Sequence, residues 1–242
     1  MSGQPHRSVA PCVSLFMKVH YYFMAETYHK PTFDRIDPAK RARLLAVATA
    51  EFAARGFTSA NINEIARKAE VSVGALYKYF ATKEDLFLTV VNEGAETVEE
   101  VITSVVDSPG GFFEKVENIL KIILSYSREY PDQVNLYNEM TSEGNAELGK
   151  KLSGRMESIS AEYYPKLIAK AKKEGEISPS VDEKAFAFCL DNLFVMLQFS
   201  YSSVYYRERM RLYLGEDVFD RDEYVIGDMM KFIRGAFSRG LP

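Results

Sequence analysis

Apolar residues recur at helical spacing along nearly the whole chain, and no segment alternates between apolar and polar residues as a β-hairpin would. The first helical segment lies between Pro38, a residue suited to the first position of a helix, and Gly56, a residue suited to ending one. Apolar residues such as Leu44 and Phe52 fall on one face of this segment. The pattern therefore predicts a helix over residues 38–55 of an all-α protein.

Two short helical segments follow, separated by a tight break. Ile62, Ile65 and Ala69 form the apolar stripe of the first segment, and Ser72 is suited to cap the second. Two short helices with a three-residue turn are the helix-turn-helix pattern, in which the first helix braces the second against the major groove of DNA. Residues 61–80 are therefore expected to bind double-stranded DNA.

Helical periodicity continues to the end of the chain. Thr82 is suited to cap a fourth helix that runs to about Asp107. Further helices are predicted over residues 111–129, 132–142, 145–174, 182–213 and 220–238. The expected architecture is a three-helix N-terminal head, joined by a long helix to a larger all-α body.

Charge is distributed unevenly along the chain, which has a formal net charge of −4. Residues 38–83 carry a net charge of +5, whereas residues 84–242 carry −10. A basic head on an acidic body is typical of a module that binds a polyanion. Chance clustering on a solvated helix face would give the same asymmetry, so charge alone does not decide the function.

The first 37 residues fit this pattern poorly. They resemble a signal peptide only in part, because Pro11 and Lys18 interrupt the apolar patch and no clear small-residue cleavage site follows. A translation start at Met17 or Met24 is the alternative interpretation. We expect residues 1–37 to be a poorly ordered N-terminal extension.

Residues that would support catalysis or metal binding are scarce. The three histidines, His6, His20 and His29, all lie in the extension, and Cys12 and Cys189 are far apart in sequence. No Glu-x-x-His spacing, glycine-rich phosphate loop or nucleophile elbow is present. We expect no cofactor, no metal and no enzyme activity, although an enzyme on a helical bundle and a helical protein-interaction scaffold remain alternatives. The most apolar stretch spans 15 residues, fewer than the ~20 that cross a bilayer, so a cytoplasmic protein is expected.

A resemblance to a known family sharpens these expectations. Residues 41–91, and above all the run VSVGALYKYFATKEDL over 71–86, are similar to the N-terminal domain of the tetracycline-repressor (TetR) family. The resemblance implies a DNA-binding domain over residues 38–84 and a ligand-binding and dimerisation domain over residues 85–242. It also implies a homodimer, repression at a pseudo-palindromic operator, and release by a small-molecule effector.

The resemblance also assigns the DNA contacts. Tyr77 and Lys83 occupy the positions of phosphate contacts, although Tyr77 can instead pack on the first helix and Lys83 can be a solvated lysine. The full set comprises Ser59, Asn61, Ser72, Val73, Gly74, Ala75, Tyr77, Lys78, Tyr79 and Lys83. Relatives often carry an aromatic residue and then histidine or tyrosine where this chain has Lys78 and Tyr79, so base preference there is open.

The body is expected to hold the effector and the second protomer. Its phenylalanines and tyrosines, which number 16 and 15 in the whole chain, are compatible with a hydrophobic or aromatic effector. The candidate pocket residues are Phe113, Tyr126, Tyr137, Asn138, Met140, Asn192, Phe194 and Gln198. The candidate dimer contacts are Leu197, Tyr201, Met229, Met230, Ile233 and Phe237. Core packing is the alternative for both sets.

Overall fold

A computed structural model describes residues 27–140 and 146–238 of the chain. Within these ranges the backbone forms α-helices and one 3-10 helix (Val218–Asp220), with no strands. The helices are α1 (Pro38–Ser59), α2 (Ile62–Lys68), α3 (Val73–Tyr79), α4 (Lys83–Asp107), α5 (Phe112–Glu129), α6 (Pro131–Met140), α7 (Ala146–Glu174), α8 (Glu183–Ser202), α9 (Val204–Leu214) and α10 (Asp222–Phe237). The prediction of an all-α fold is confirmed.

The head is built from α1, α2, α3 and the start of α4 around a hydrophobic core to which Leu136 and Met140 of α6 also contribute. Leu44, Phe52 and Ile65 are fully buried there, and Leu76 is 2% exposed. The same apolar stripes that predict the helices therefore hold them together, because each stripe turns towards the shared core. The helix-turn-helix prediction is confirmed at this level.

Helix α1 bends sharply at Gly56. The glycine has φ +68° and ψ 168°, a conformation that residues with a Cβ rarely adopt. One further turn follows the bend and ends at Ser59. The prediction that the first helix ends at residue 55 is correct for its regular part, and the extra turn leads directly into α2.

Residues 27–37, named here the N-terminal strap, pack against the head. Phe33 is fully buried, and its ring centroid lies 4.8 Å from that of Phe80 and 5.8 Å from that of Tyr79. The Arg41 guanidinium lies 5.0 Å from the same ring centroid. This corrects the expectation of a poorly ordered extension for the strap; residues 1–26 lie outside the described residues.

The body has a second core, formed by α4, α5, α7, α8 and α10, with Met210 of α9 and Val218 and Phe219 of the 3-10 helix. The prediction of one continuous helix over residues 182–213 is wrong. The backbone is extended at Ser203 (φ −84°, ψ 133°), which separates α8 from α9. No glycine or proline marks this break in the sequence. Among the described helices, none combines the length and apolarity needed to span a membrane.

Candidate DNA-binding surface

Helix α3 is fixed at its N-terminus and along its inner face. The Ser72 hydroxyl oxygen accepts a hydrogen bond of 3.0 Å from the Ala75 N–H, as an N-cap does. Leu76 and Phe80 are 2% and 1% exposed and anchor the inner face in the head core. The opposite face of α3 therefore points to solvent in a defined orientation.

The preceding helix α2 is held to α1 by a buried carboxylate. Glu51 is 2% exposed, and its Oε1 accepts the Asn61 backbone N–H at 3.3 Å. Lys68 Nζ lies 3.1 Å from Oε2, and Arg55 Nε lies 3.1 Å from Oε1. Sequence reasoning missed this residue, although a glutamate on the apolar face of α1 was a signal for a buried, paired charge.

The C-terminus of α3 is capped by the N-terminal strap. The Lys30 N–H donates to the Tyr79 carbonyl at 2.7 Å, and the Lys30 ammonium donates to the Tyr77 carbonyl at 2.9 Å. The Thr32 hydroxyl donates to the Lys78 carbonyl at 2.6 Å. The last carbonyls of a helix have no partner inside it, and a cation there is favoured by the helix dipole. The strap thus completes the hydrogen bonding of α3, which no local sequence pattern indicated.

Lys83 braces the head. Its ammonium donates to the carbonyls of Thr58 and Ala60 at 3.0 and 2.9 Å, and lies 5.0 Å from the Phe57 ring centroid. Burial lowers the pKa of Lys83 below its ordinary value. An ammonium has three N–H donors, so one remains for a phosphate. The contact of Lys83 with DNA stays a prediction beside this structural role.

The turn between α2 and α3 is held by an ion pair. Glu70 adopts a positive φ of 56°, uncommon for a residue with a side chain, and its Oε2 lies 2.5 Å from Arg43 Nη1. Arg67 pairs with Glu64 at 2.7 Å and lowers the pKa of that carboxyl. Lys78, in contrast, has no acidic partner within 4.0 Å among the described residues, so its charge is available to a polyanion.

The predicted DNA contacts differ in how far they are exposed to solvent. Tyr77 is 48% exposed, so about half of it is accessible to a phosphate while the rest packs on the protein. Exposed residues are Ser59, Asn61, Ser72, Gly74, Tyr77 and Lys78, and half-buried ones are Val73, Ala75, Tyr79 and Lys83. Tyr79 packs towards Phe33 and so supports the head from the inside as well.

The predicted pocket residues fall into two groups. Tyr126, Tyr137 and Met140 line a cavity between head and body. The other five lie outside this lining, and their assignment to a ligand pocket stays a prediction: Phe113, Asn138, Asn192, Phe194 and Gln198. Phe194, for example, is 3% exposed and packs on Tyr164 with ring centroids 5.6 Å apart, as a core residue does.

Most predicted dimer contacts lie inside the protomer. Five of them are 1–5% exposed and belong to the body core, which leaves no surface for a partner: Leu197, Tyr201, Met230, Ile233 and Phe237. Met229 is half-buried. The structure thereby corrects the expectation, because the helical stripe on α8 and α10 that was assigned to the partner faces inwards. Other apolar residues of these helices are exposed, notably Phe188 at 71% and Phe232 at 67%.

Known proteins share both the head and the whole fold. Residues 44–90 match the family model described as bacterial regulatory proteins, tetR family. The HTH-type transcriptional regulator YhgD of Bacillus subtilis is 24% identical over 166 residues, which are 67% of this chain and 84% of the relative. The regulator UidR of Escherichia coli K12 is 26% identical over 144 residues, 59% of this chain and 71% of the relative.

Solved structures extend the likeness of fold to the body. A TetR family regulator from Chloroflexus aurantiacus has a TM-score of 0.63 at 22% identity, over 88% of this chain and 99% of the other. FadR of B. subtilis, solved in complex with stearoyl-CoA, has a TM-score of 0.63 at 16% identity, over 77% of this chain and 95% of FadR. The head defines a helix-turn-helix DNA-binding protein. Residues 44–90 match the DNA-binding domain of the TetR family of bacterial regulatory proteins, and the protein is a DNA-binding transcriptional regulator.

Proposed function

We propose that the protein is a homodimeric repressor that binds a pseudo-palindromic operator and is released by a small hydrophobic effector. The observation that carries the proposal is the outer face of α3, which is exposed, fixed at both ends and unobstructed by the rest of the described head. A helix held in this way can enter the major groove without losing further conformational freedom.

Gly74 is the feature of this face that folding does not explain. A Cβ added at Gly74 would have no atom within 4 Å, so the fold leaves room for a side chain there. Glycine inside a helix costs about 1 kcal/mol relative to alanine. Close approach of the α3 backbone to DNA accounts for a glycine at this position.

Polar groups surround Gly74 where phosphates and base edges would lie. Tyr77 and Lys78 present a hydroxyl and an ammonium on the exposed face, and Ser59 and Asn61 lie exposed at the junction of α1 and α2. Phosphate contacts position such a helix, and contacts from its outer face specify the bases. We assign Tyr77 and Lys83 to phosphates, and Val73, Ala75 and Lys78 to the base-facing side.

The second protomer is assigned to the exposed apolar residues of α8 and α10. Phe188 and Phe232 are large, apolar and mostly exposed, and Tyr224 on α10 is 42% exposed. Exposed apolar side chains of this size mark interaction surfaces. A second copy is the occupant that a two-fold symmetric operator requires, because each half-site takes one head.

A hydrophobic effector is consistent with the names of two structural neighbours. FadR of B. subtilis was solved with stearoyl-CoA, and KstR2 of Mycobacterium tuberculosis is a ketosteroid transcriptional regulator. Both are regulators of the same fold at 16–17% identity, so they support the class of ligand and not its identity. A regulator that binds DNA in a bacterium acts in the cytoplasm, which is where we place it.

The test is operator binding by a variant that fills the space over Gly74. DNA flanking the gene is footprinted with the purified protein, and the protected site is used for fluorescence anisotropy. Gly74→Leu is expected to weaken binding by about tenfold or more, because the side chain holds the α3 backbone away from the groove. Wild-type affinity should fall steeply with salt, with a log–log slope of about −0.9 per phosphate contacted.

Gly154→Leu provides the matched control. Gly154 is also an exposed helical glycine at which an added Cβ would meet no atom within 4 Å, but it lies on α7 in the body. This variant should bind the operator as the wild type does. Absence of a protected site at low salt, or equal binding by Gly74→Leu and wild type, would overturn the proposed function.

A further inference from the structure

Positive charge without an acidic partner is concentrated in one part of the head. Most cationic side chains between residues 27 and 83 have a partner within the protomer. Five of them pair with carboxylates: Arg41, Arg43, Arg55, Arg67 and Lys68. Two donate to backbone carbonyls: Lys30 and Lys83. Three have no acidic partner within 4.0 Å among the described residues: Arg35, Lys40 and Lys78.

Two of these three cations lie in the N-terminal strap and in the first turn of α1 that follows it. Arg35 is exposed, between the fully buried Phe33 and the half-buried Ile36. The Ile36 N–H donates to the Phe33 carbonyl at 3.4 Å and closes a turn in the strap. Lys40 follows as the third residue of α1. The packing of Phe33 in the head core therefore holds Arg35 in place on the surface.

The third cation lies on α3, directly beside the strap. The Lys78 carbonyl accepts a hydrogen bond of 2.6 Å from the Thr32 hydroxyl. Arg35 is three residues further along the strap, so its Cα lies within about 11 Å of the Thr32 Cα. The major groove is about 12 Å wide and has a phosphate backbone on each side. A strap at this distance from a helix in the groove can reach the flanking backbone.

The carboxylates of the strap are engaged elsewhere and leave Arg35 unpaired. Asp34 Oδ1 lies 3.4 Å from Arg41 Nη1. Asp37 Oδ1 accepts the Lys40 backbone N–H at 3.1 Å as the N-cap of α1. The first turn of α1 contains no acidic residue. Folding thus leaves this positive charge uncompensated, as is typical of a surface that binds a polyanion.

From this arrangement we infer that the strap itself contacts DNA, with Arg35 and Lys40 binding phosphates of the backbone that flanks the groove entered by α3. The Arg35 guanidinium can bind one phosphate through two parallel N–H donors. The contact does not depend on base sequence, because phosphates carry no sequence information. The inference rests on the proposed operator binding and extends the DNA-binding surface beyond the helix-turn-helix.

The test is the salt dependence of operator affinity, measured on the full chain by fluorescence anisotropy over about 50–200 mM KCl. Arg35→Gln should weaken binding by about three- to tenfold and lower the magnitude of the log–log slope by about 0.9, the value of one phosphate contact. The double variant Arg35→Gln with Lys40→Gln should lower it by about 1.8. Arg35→Lys keeps the charge and should keep the wild-type slope. A purely structural role of Arg35 would leave the slope unchanged.

Arg209→Gln is the matched control. Arg209 is an exposed arginine on α9 of the body, with no acidic partner within 4.0 Å among the described residues. This variant removes the same charge and should change neither affinity nor slope. A wild-type slope in Arg35→Gln, or an equal change of slope in Arg209→Gln, would overturn the inference while leaving operator binding intact. Absence of operator binding by the wild type would overturn the proposed function as well, so the two failures are distinguishable.

Uncharged phosphates locate the contact on the DNA. Operators are prepared with a single methylphosphonate at successive positions of the flanking backbone. At one position or more, the substitution should weaken wild-type binding by about three- to tenfold and leave Arg35→Gln unaffected, because that variant already lacks the partner. Substituting the flanking base pairs should affect wild type and Arg35→Gln equally. A flanking base preference that Arg35→Gln loses would show contact with bases in the minor groove and would overturn the assignment to phosphates.

Discussion

Two carboxylates show how much the surroundings of a single residue decide its role. Glu51 is buried but accepts bonds from the Asn61 backbone N–H and from Lys68, so its charge fixes α2 on α1. Asp191 on α8 is half-buried and lies close to the Glu157 carboxylate, with a hydrogen bond from Ser160. Burial and Glu157 together raise the pKa of Asp191 to about 6. Glu51 stabilises the head, whereas ionised Asp191 destabilises the body.

Asp191→Asn should therefore stabilise the protein at neutral pH. Between pH 4 and 6 the folded state holds a proton that the unfolded chain releases, since the unfolded pKa is about 4 and the folded pKa is about 6. Wild-type stability thus falls as pH rises through this window. The variant should gain about 1–3 kcal/mol in the free energy of unfolding above pH 6, and the gain should vanish near pH 4. Urea unfolding at fixed protein concentration measures the difference.

Asp228→Asn is the matched control for this prediction. The ion pair with Lys231 lowers the pKa of the exposed Asp228, so its effect has the opposite sign. That variant should not be stabilised at neutral pH. A gain for Asp191→Asn that stayed constant from pH 4 to pH 7.5 would contradict the assignment to a raised pKa.

At the scale of elements, α3 depends on a segment far away in sequence. The side chains of Lys30 and Thr32 in the strap donate hydrogen bonds to the carbonyls of Tyr77 and Lys78. These partners lie 47 and 46 residues further along the chain. A helix of seven residues has too few internal hydrogen bonds to be stable alone. The strap is thus part of the recognition element, although it precedes the first helix of the head.

Removing the strap's side-chain donors should loosen α3. The double variant Lys30→Met with Thr32→Val deletes two hydrogen bonds, each worth about 0.5–1.5 kcal/mol. We expect faster amide hydrogen exchange in the last turn of α3 and operator binding weakened several-fold. Thr27→Val, at the exposed start of the strap, is the control and should change neither measurement. Unchanged exchange in the double variant would show that α3 does not need the strap.

The elements also show what the sequence could and could not predict. Boundaries of α3 and α4 follow from local signals: Ser72 and Thr82 both cap as predicted, and Asp85 completes a capping box with Thr82. The break at Ser203 carries no such signal, because a serine is compatible with helix and with extended backbone. Contacts between distant segments, such as those of Lys30, depend on tertiary packing and have no periodicity to detect.

The same limit explains the candidate sites in the body. Apolar residues at helical spacing identified the faces of α8 and α10 that are buried, and Leu197 and Ile233 indeed lie in the core. Spacing alone cannot say whether a buried face meets the same chain, a second chain or a ligand. The cavity was partly anticipated at Tyr126 and Tyr137, but its α1 wall was not, since nothing local indicates that the head closes it.

At the scale of the whole molecule, α8 and α10, which carry the proposed dimer contacts, contribute no residue to the hydrophobic core of the head. Head and body each have their own hydrophobic cluster. Charges introduced on the outer faces of α8 and α10 should therefore leave the head folded. This separation makes the proposed dimer surface accessible to a clean mutational test.

The double variant Phe188→Glu with Phe232→Glu should be a monomer, because two carboxylates would have to be buried without partners in the proposed interface. Leu212→Glu is the control, since Leu212 is an equally exposed apolar residue on α9, at 86%. Analytical ultracentrifugation should give dimers for wild type and control. The monomer should lose about 10²-fold or more in affinity for the full operator, because the second head no longer binds at high effective concentration, and should keep wild-type affinity for a single half-site. The proposed interface would be contradicted if the double variant remained a dimer, or if Leu212→Glu disrupted the dimer equally. Another pair of helices would then have to hold the two heads at their spacing.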